Sequence, residues 1–232
     1  MLCLVLLVLL QAFLVPVPVH GVTPATQPKS EFVSLADLEV VNGKAETVSY
    51  HSRRAVHLLP PADQGNSQDS VLAIVRSSDL QDGTIEADVS GVPRAGTPPD
   101  SRGFIGISFR VQPHGSRFEN LYLRPTNGRA DDQLRRNHSV QYTSEPDYPW
   151  ERLRKESPGL YESYVDLQPD EWTHMRIVVS GTSAKLYVNG ASQPCLIVND
   201  LKLGKTGGQV ALWAHWTTDA YFSSLKIVPD SN

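Results

Sequence analysis

The sequence predicts an all-β protein, an antiparallel two-sheet sandwich or jelly roll. Short apolar/polar alternations recur along the chain, turn residues interrupt them roughly every 8 to 12 residues, and no amphipathic stretch is long enough for a long helix. The 17 prolines and 16 glycines among 232 residues are enough to punctuate that many strands.

Leu2 to Val19 is apolar apart from Gln11 and ends in Val19-His20-Gly21, the pattern of a cleaved signal peptide over residues 1–21. Pro16 and Pro18 oppose a membrane-spanning helix, so no span is expected after cleavage, and the mature chain is expected to be secreted or periplasmic. A polar tether over 22–31 leads into one domain over 32–232, because about 210 mature residues suit a single sandwich. Ala36–Val41, Thr47–Tyr50 and Ala55–Leu59 read as opening strands around an Asn42-Gly43 turn. Val71–Val75 and Thr84–Val89 come next. Gly91–Arg102 carries three prolines and two glycines and reads as a long loop. In Gly103–Val111, Ile105, Ile107 and Phe109 alternate with Phe104, Gly106, Ser108 and Arg110. In Glu119–Arg124, Leu121 and Leu123 alternate with Asn120, Tyr122 and Arg124. His138–Thr143 is a further strand, Asp147–Lys155 a short helical turn, and Tyr161–Leu167 an extended lead into a hairpin. That hairpin, Glu171–Ala191, turns at Gly181–Ser183 and again at Asn189-Gly190, where positive φ is tolerated. Cys195–Val198, Gln209–His215 and Tyr221–Val228 close the domain, the last expected to pair beside the first strand.

Composition excludes several classes. A net charge of -4 without a basic stripe argues against nucleic acid as partner. Cys3 lies in the leader, leaving Cys195 as the single mature thiol. No intramolecular disulfide can form, and its run Cys195-Leu-Ile-Val marks a small buried hydrophobe rather than a nucleophile. No Cys/His spacing suggests a metal, and a calcium site at Asp131 and Asp132 has no spaced Asp/Asn loop behind it. No cofactor is implied, and no feature fixes the oligomeric state.

The runs Asp82-Gly-Thr-Ile-Glu-Ala-Asp, Arg102-Gly-Phe-Ile-Gly-Ile-Ser-Phe-Arg, Glu171-Trp-Thr-His-Met-Arg-Ile-Val-Val, Lys185-Leu-Tyr-Val-Asn-Gly and Tyr221-Phe-Ser-Ser-Leu-Lys-Ile resemble the concanavalin A-like lectin/glucanase superfamily. The nearest branches are the laminin G-like jelly rolls and the 3-keto-disaccharide hydrolase domains. The resemblance covers roughly Phe32 to Pro229. It implies two stacked antiparallel sheets with a ligand on a concave face or at the rim loops, and it leaves function open among lectins, glycosidases and adhesion modules.

Phe118–Trp150 is the stretch richest in recognition chemistry. Arg124, Asn127, Arg129, Arg135, Arg136, His138, Gln141 and Tyr142, with Arg110 on a neighbouring strand, offer planar donors and acceptors that suit vicinal hydroxyls. Tyr122, Tyr148, Trp150 and Trp213 offer rings for the apolar faces of sugars. A carbohydrate is therefore the expected partner. The plainer alternative is an ion-pair network in which Arg129 meets Asp131 and Arg135 meets Asp132. His138, with Asp131 or Asp132, is the weak catalytic candidate of the rival reading, a glycoside or 3-keto-disaccharide hydrolase. Glu86 and Asp88 resemble the start of a Glu-x-Asp-x-x-Glu signature, but Ser90 and Gly91 stand where the third acid belongs, so the pair reads as a solvent-facing strand edge. Glu119, Glu145 and Asp147 are the other acids that could pair in space. A third reading is a protein-interaction module of laminin G type. Asn137-His138-Ser139 also fits a glycosylation sequon.

Overall fold

The computed structural model describes residues 33–61 and 70–230. The expected signal peptide and tether lie outside the described residues. Among these, fourteen strands succeed one another. The first five are β1 (Leu38–Val41), β2 (Lys44–Tyr50), β3 (Arg53–Leu59), β4 (Val71–Val75) and β5 (Gly83–Pro93). Next come β6 (Ile105–Val111), β7 (Phe118–Leu123), β8 (Val140–Glu145) and β9 (Glu162–Ser163), with helices α1 (Gln133–Asn137) and α2 (Trp150–Glu156) on either side of β8. The chain ends with β10 (Thr173–Ser180), β11 (Ser183–Val188), β12 (Leu196–Val198), β13 (Gln209–Ala214) and β14 (Thr218–Pro229).

They form two seven-stranded sheets, ordered β1-β4-β13-β6-β7-β8-β9 and β12-β11-β10-β5-β14-β3-β2. The strand pairings are antiparallel, as for β10 with β11 and for β6 with β7. Alternation decides what each strand buries. Ile105, Ile107, Phe109, Leu121 and Leu123 of the first sheet meet Met175, Ile177, Val179, Leu186 and Val188 of the second in one core. Each such fully buried side chain stabilises the sandwich by about 1.5–3 kcal/mol relative to its exposure. The hairpin turns are as read from the sequence: Gly181, Asn189 and Gly190 all have positive φ. Cys195 packs against this core, and burial pushes its thiol up to about 11.

Several expectations change. The strand from Thr84 extends to Pro93, whereas the extended lead over Tyr161–Leu167 contains only the two-residue β9. The last strand, β14, pairs with β3 and β5 instead of with β1. Glu86 and Asp88 lie on β5, which has β10 on one side and β14 on the other, so they are mid-sheet. There Asp88 meets Arg53 and His174, each at 2.8 Å. Arg110 does not share the face of Gly106 and Ser108. A register shift opposite Gln209 and Ala211 coincides with φ of 52° at Arg110, and the irregularity turns its side chain into the closed end of the sandwich. It is 0% exposed there and donates to the carbonyls of Gln81, Gly181 and Gly204.

Candidate functional site

The first sheet carries a second apolar cluster on the face turned away from the core: Leu72, Ile74, Val111, Phe118, Tyr122, Ala211 and Trp213, with Val41 and Phe104 packed against it. Register explains how residues distant in sequence meet there. One transverse row crosses all seven strands, Val41–Leu72–Trp213–Gly106–Tyr122–Gln141–Glu162. Directly opposed residues share a face, so the row is a surface. Gly106 is central to it. A Cβ there would lie 2.3 Å from the Leu121 carbonyl and 2.6 Å from Tyr122 Cβ, and its absence lets the rings of Trp213 and Tyr122 approach to 4.9 Å. A second row, Ile74–Ala211–Ser108–Asn120–Thr143, runs beside the first, and Phe118 opposite Glu145 begins a third.

Above these rows lies a cavity of about 420 Å³, walled by the Asn42 turn, His114, Phe104, His215 and Trp150. Its chemistry is that of a partly apolar floor with separate polar groups. The indole N–H of Trp213, which lines the cavity, is buried without an acceptor among the described residues. Leaving such a donor unpaired costs about 1–3 kcal/mol, which an incoming hydroxyl would offset. Burial raises the Glu145 carboxyl above its usual range; the Thr143 hydroxyl offsets part of the rise and the charge of Glu151 adds to it. Burial also lowers His215 from 6.5 to about 4, while its Nδ1 stands 2.8 Å from the Thr217 hydroxyl. A folded-state pKa below the unfolded one means that His215 contributes stability above pH 6.5 that is lost as the pH falls through about 4. His215→Asn, which keeps an acceptor near Thr217, is expected to flatten the pH dependence of unfolding over that window by up to about 3 kcal/mol, as read from urea midpoints.

A smaller cavity, of about 250 Å³, adjoins the first and shares Phe104 and Trp150 with it. Arg102, Arg124, Arg154 and His138 line it. Arg124 donates to the Tyr122 hydroxyl (2.9 Å) and to Gln141 Oε1 (3.1 Å), tying the aromatic row to this end. Glu162, whose side chain is 2% exposed, accepts from Arg154 at 2.8 and 2.5 Å. Its burial works against the charge, yet Arg154, His138 and Arg124 together hold its carboxyl below the usual range. His138 stands 3.4 Å from the same carboxylate. Burial lowers its pKa, Glu162 opposes, and Arg154 and Arg124 add to the lowering.

The expected site residues therefore separate. Tyr122, Trp150 and Trp213 come together in the larger cavity, and Arg124, Asn127, His138 and Trp150 in the smaller. Gln141 is buried beneath them, donating to the carbonyls of Tyr142 and Tyr161. The others are placed elsewhere. Arg110 closes the end of the sandwich. Tyr142 points into the core, where its hydroxyl donates to Glu119 at 2.7 Å. Tyr148 packs against the core beneath the Arg152 guanidinium. Arg129 pairs with Asp166 instead of Asp131, and Arg136 donates to the Tyr164 hydroxyl. Arg135 bonds to Asn127, while Asp132 caps α1 by accepting from the Arg135 amide at 2.8 Å. Neither Asp131 nor Asp132 is among the residues lining the cavity that His138 faces. Glu119 and Glu145, on adjacent strand positions of opposite facing, do not pair. Phe104, Phe118, Arg154 and His215 line the cavities and Glu162 braces the smaller one, places the sequence reading does not assign them, and Glu145, read there only as an acid that could pair in space, lines the larger. For Phe104 and Phe118 alternation carries a signal; for Glu162, in a two-residue strand, nothing does.

Two antiparallel sheets in this arrangement define a concanavalin A-like jelly roll. The chain is similar in fold to the carbohydrate-binding module CBM66 from Bacillus subtilis, with 14% identity and a TM-score of 0.54 over 82% of this chain and 93% of that one. It is also similar to a Bacillus subtilis protein of unknown function with a galectin-like fold, with 12% identity and a TM-score of 0.51 over 84% and 92%. A sialidase matches at 9% identity and a TM-score of 0.51, over 85% of this chain and 17% of that chain. No family model and no curated protein sequence matches the chain.

Proposed function

We propose that this chain is a carbohydrate-binding module that holds a glycan across the outer face of its first sheet. The observation that carries the reading is the aromatic row, in which Trp213 and Tyr122 meet over Gly106 below a cavity with separate polar groups. Sugar rings have apolar C–H faces and hydroxyl edges, and a site of adjacent rings beside an unpaired indole N–H complements both. The fold likeness to a carbohydrate-binding module is consistent with this, as is the expectation, from the apolar leader, of a secreted or periplasmic location. Among the described residues lining the larger cavity Glu145 is the one carboxylate, and glycoside hydrolysis by the usual route takes two acids flanking the bond. That favours holding a sugar over cleaving it.

A glycan panel that includes 3-keto sugars, followed for retention and for product, tests the reading. Retention without turnover is the expected result. Turnover would transfer the assignment to the hydrolase class, and absence of retention across the panel would remove the carbohydrate reading.

A further inference from the structure

The smaller cavity holds more positive than negative charge, and its own residues do not cancel the excess. Arg102, Arg124 and Arg154 line it, and Arg135 lies close enough to Arg102 to repel it. The buried carboxylate there, Glu162, is already shared by Arg154 at 2.8 and 2.5 Å, His138 at 3.4 Å and Arg124 at 3.5 Å. Arg102 donates to the carbonyls of Pro99 and Ser101, and Arg135 to Asn127 and Thr126. None of those acceptors carries a charge. Asp100, exposed at the rim, is the acid among the lining residues, and Asp132 and Glu151 act from outside the lining on His138 and Arg154. Among the lining residues three guanidinium groups thus stand against Asp100 and the shared Glu162, in a chain whose net charge is -4. The excess is local and does not reflect a generally basic surface.

Guanidinium groups gathered in a half-buried hollow repel one another, and an anion among them relieves that repulsion. Burial, and after it the charges of Arg135 and Arg124 with Asp100 opposing, draws Arg102 below its ordinary pKa. The planar fork of arginine suits carboxylate, sulfate and phosphate oxygens better than it suits a hydroxyl. Trp150 lines both cavities, and its ring lies 4.6 Å from the Arg154 guanidinium carbon. The two cavities share Phe104 and Trp150, so a saccharide seated over the aromatic row would end beside the arginines.

We propose that this cavity receives the anionic substituent of an acidic glycan, a carboxylate or a sulfate ester, with the sugar ring against Trp150. The proposal rests on the carbohydrate reading of the larger cavity and adds the charge class of the ligand.

The test measures binding of the purified protein to matched saccharide pairs: sialyllactose with lactose, oligogalacturonate with its methyl ester, and sulfated with unsulfated galactan oligosaccharide. In at least one pair the acidic member is expected to bind about tenfold or more tightly than the neutral one. The preference is expected to shrink as NaCl rises from about 50 to about 500 mM. It is also expected to fall to within about twofold in Arg102→Gln, whose side chain holds only loop carbonyls in the folded state. Should Arg102→Gln lower the melting temperature, Arg135→Gln gives a second reading of the same charge. The pair that shows the preference separates carboxylate from sulfate. Equal binding of acidic and neutral members throughout would overturn the inference and leave the carbohydrate reading standing. Failure to retain any member would remove that reading and the inference with it.

Discussion

Trp150→Ala is expected to weaken glycan binding by about ten- to a hundredfold while the melting temperature changes by no more than about 3 °C. Trp150 opens α2 and is 38% exposed, with Phe104 one of the two rings that border both cavities. Its ring partners on the protein are cations, Arg154 at 4.6 Å and Arg124 at 5.9 Å from the ring. A cation–π contact at a partly exposed site contributes about 0.5–1 kcal/mol, so truncation costs the fold little. Trp213→Ala is the less informative change. Trp213 is 6% exposed and packed among Tyr122 and Leu72, and removing a buried ring costs about 3–5 kcal/mol, which confounds binding with unfolding. Trp150→Phe should recover most of the binding, since it keeps a flat apolar face. Isothermal titration beside a thermal melt separates the two effects, and unchanged affinity in Trp150→Ala would move the ligand off this surface.

How far such residues can be found from sequence depends on whether their placement is local. Alternation within a strand is local, and it correctly puts Ile105, Ile107 and Phe109 in the core and Tyr122 on the opposite face. The row that makes the site is non-local. Trp213 meets Gly106 because β13 lies between β4 and β6, and no spacing along the chain encodes that order. The same applies to Glu162, whose two-residue strand brings it beside Gln141 and into reach of three basic groups. The charged stretch after Tyr122 is legible as dense chemistry, but not which of its members face a ligand. Several of them serve the loop itself: Asp132 caps α1, Arg135 braces Asn127, and Arg129 reaches forward to Asp166. The ion-pair alternative is right that Asp132 and Arg135 meet, though through the Arg135 amide, and wrong about Arg129, which finds its carboxylate 37 residues later. Arg110 is misplaced for a sharper reason. One irregular residue in a strand inverts the facing of the residues beyond it, and period-2 reading has no means of seeing it.

That inversion makes Arg110→Ala a large stability change, about 3–5 kcal/mol, without a direct effect on glycan affinity. The guanidinium is fully buried, and its five N–H groups are its whole value. They reach Gln81 O at 2.8 and 3.3 Å, Gly181 O at 2.6 Å, Gly204 O, and Asp82 Oδ1 at 3.4 Å. These acceptors sit on three separate connections: the loop before β5, the turn between β10 and β11, and the loop between β12 and β13. Asp82 in turn accepts from the Gly181 amide at 2.7 Å, so the carboxylate and the arginine hold the same turn from two sides. Truncation leaves three carbonyls and a carboxylate without their shared donor at a buried end, each costing about 1–3 kcal/mol unless water enters. Relaxation recovers part of that sum. On a domain of this size the net loss corresponds to a drop of about 10 °C in Tm. Arg110→Lys should recover less than half, because one ammonium cannot reach three loops at once. A Tm within about 2 °C of the parent would show that the loops hold without this arginine. Lost glycan binding in a folded Arg110→Ala protein would place the ligand at this end of the sandwich instead of over Trp213 and Trp150.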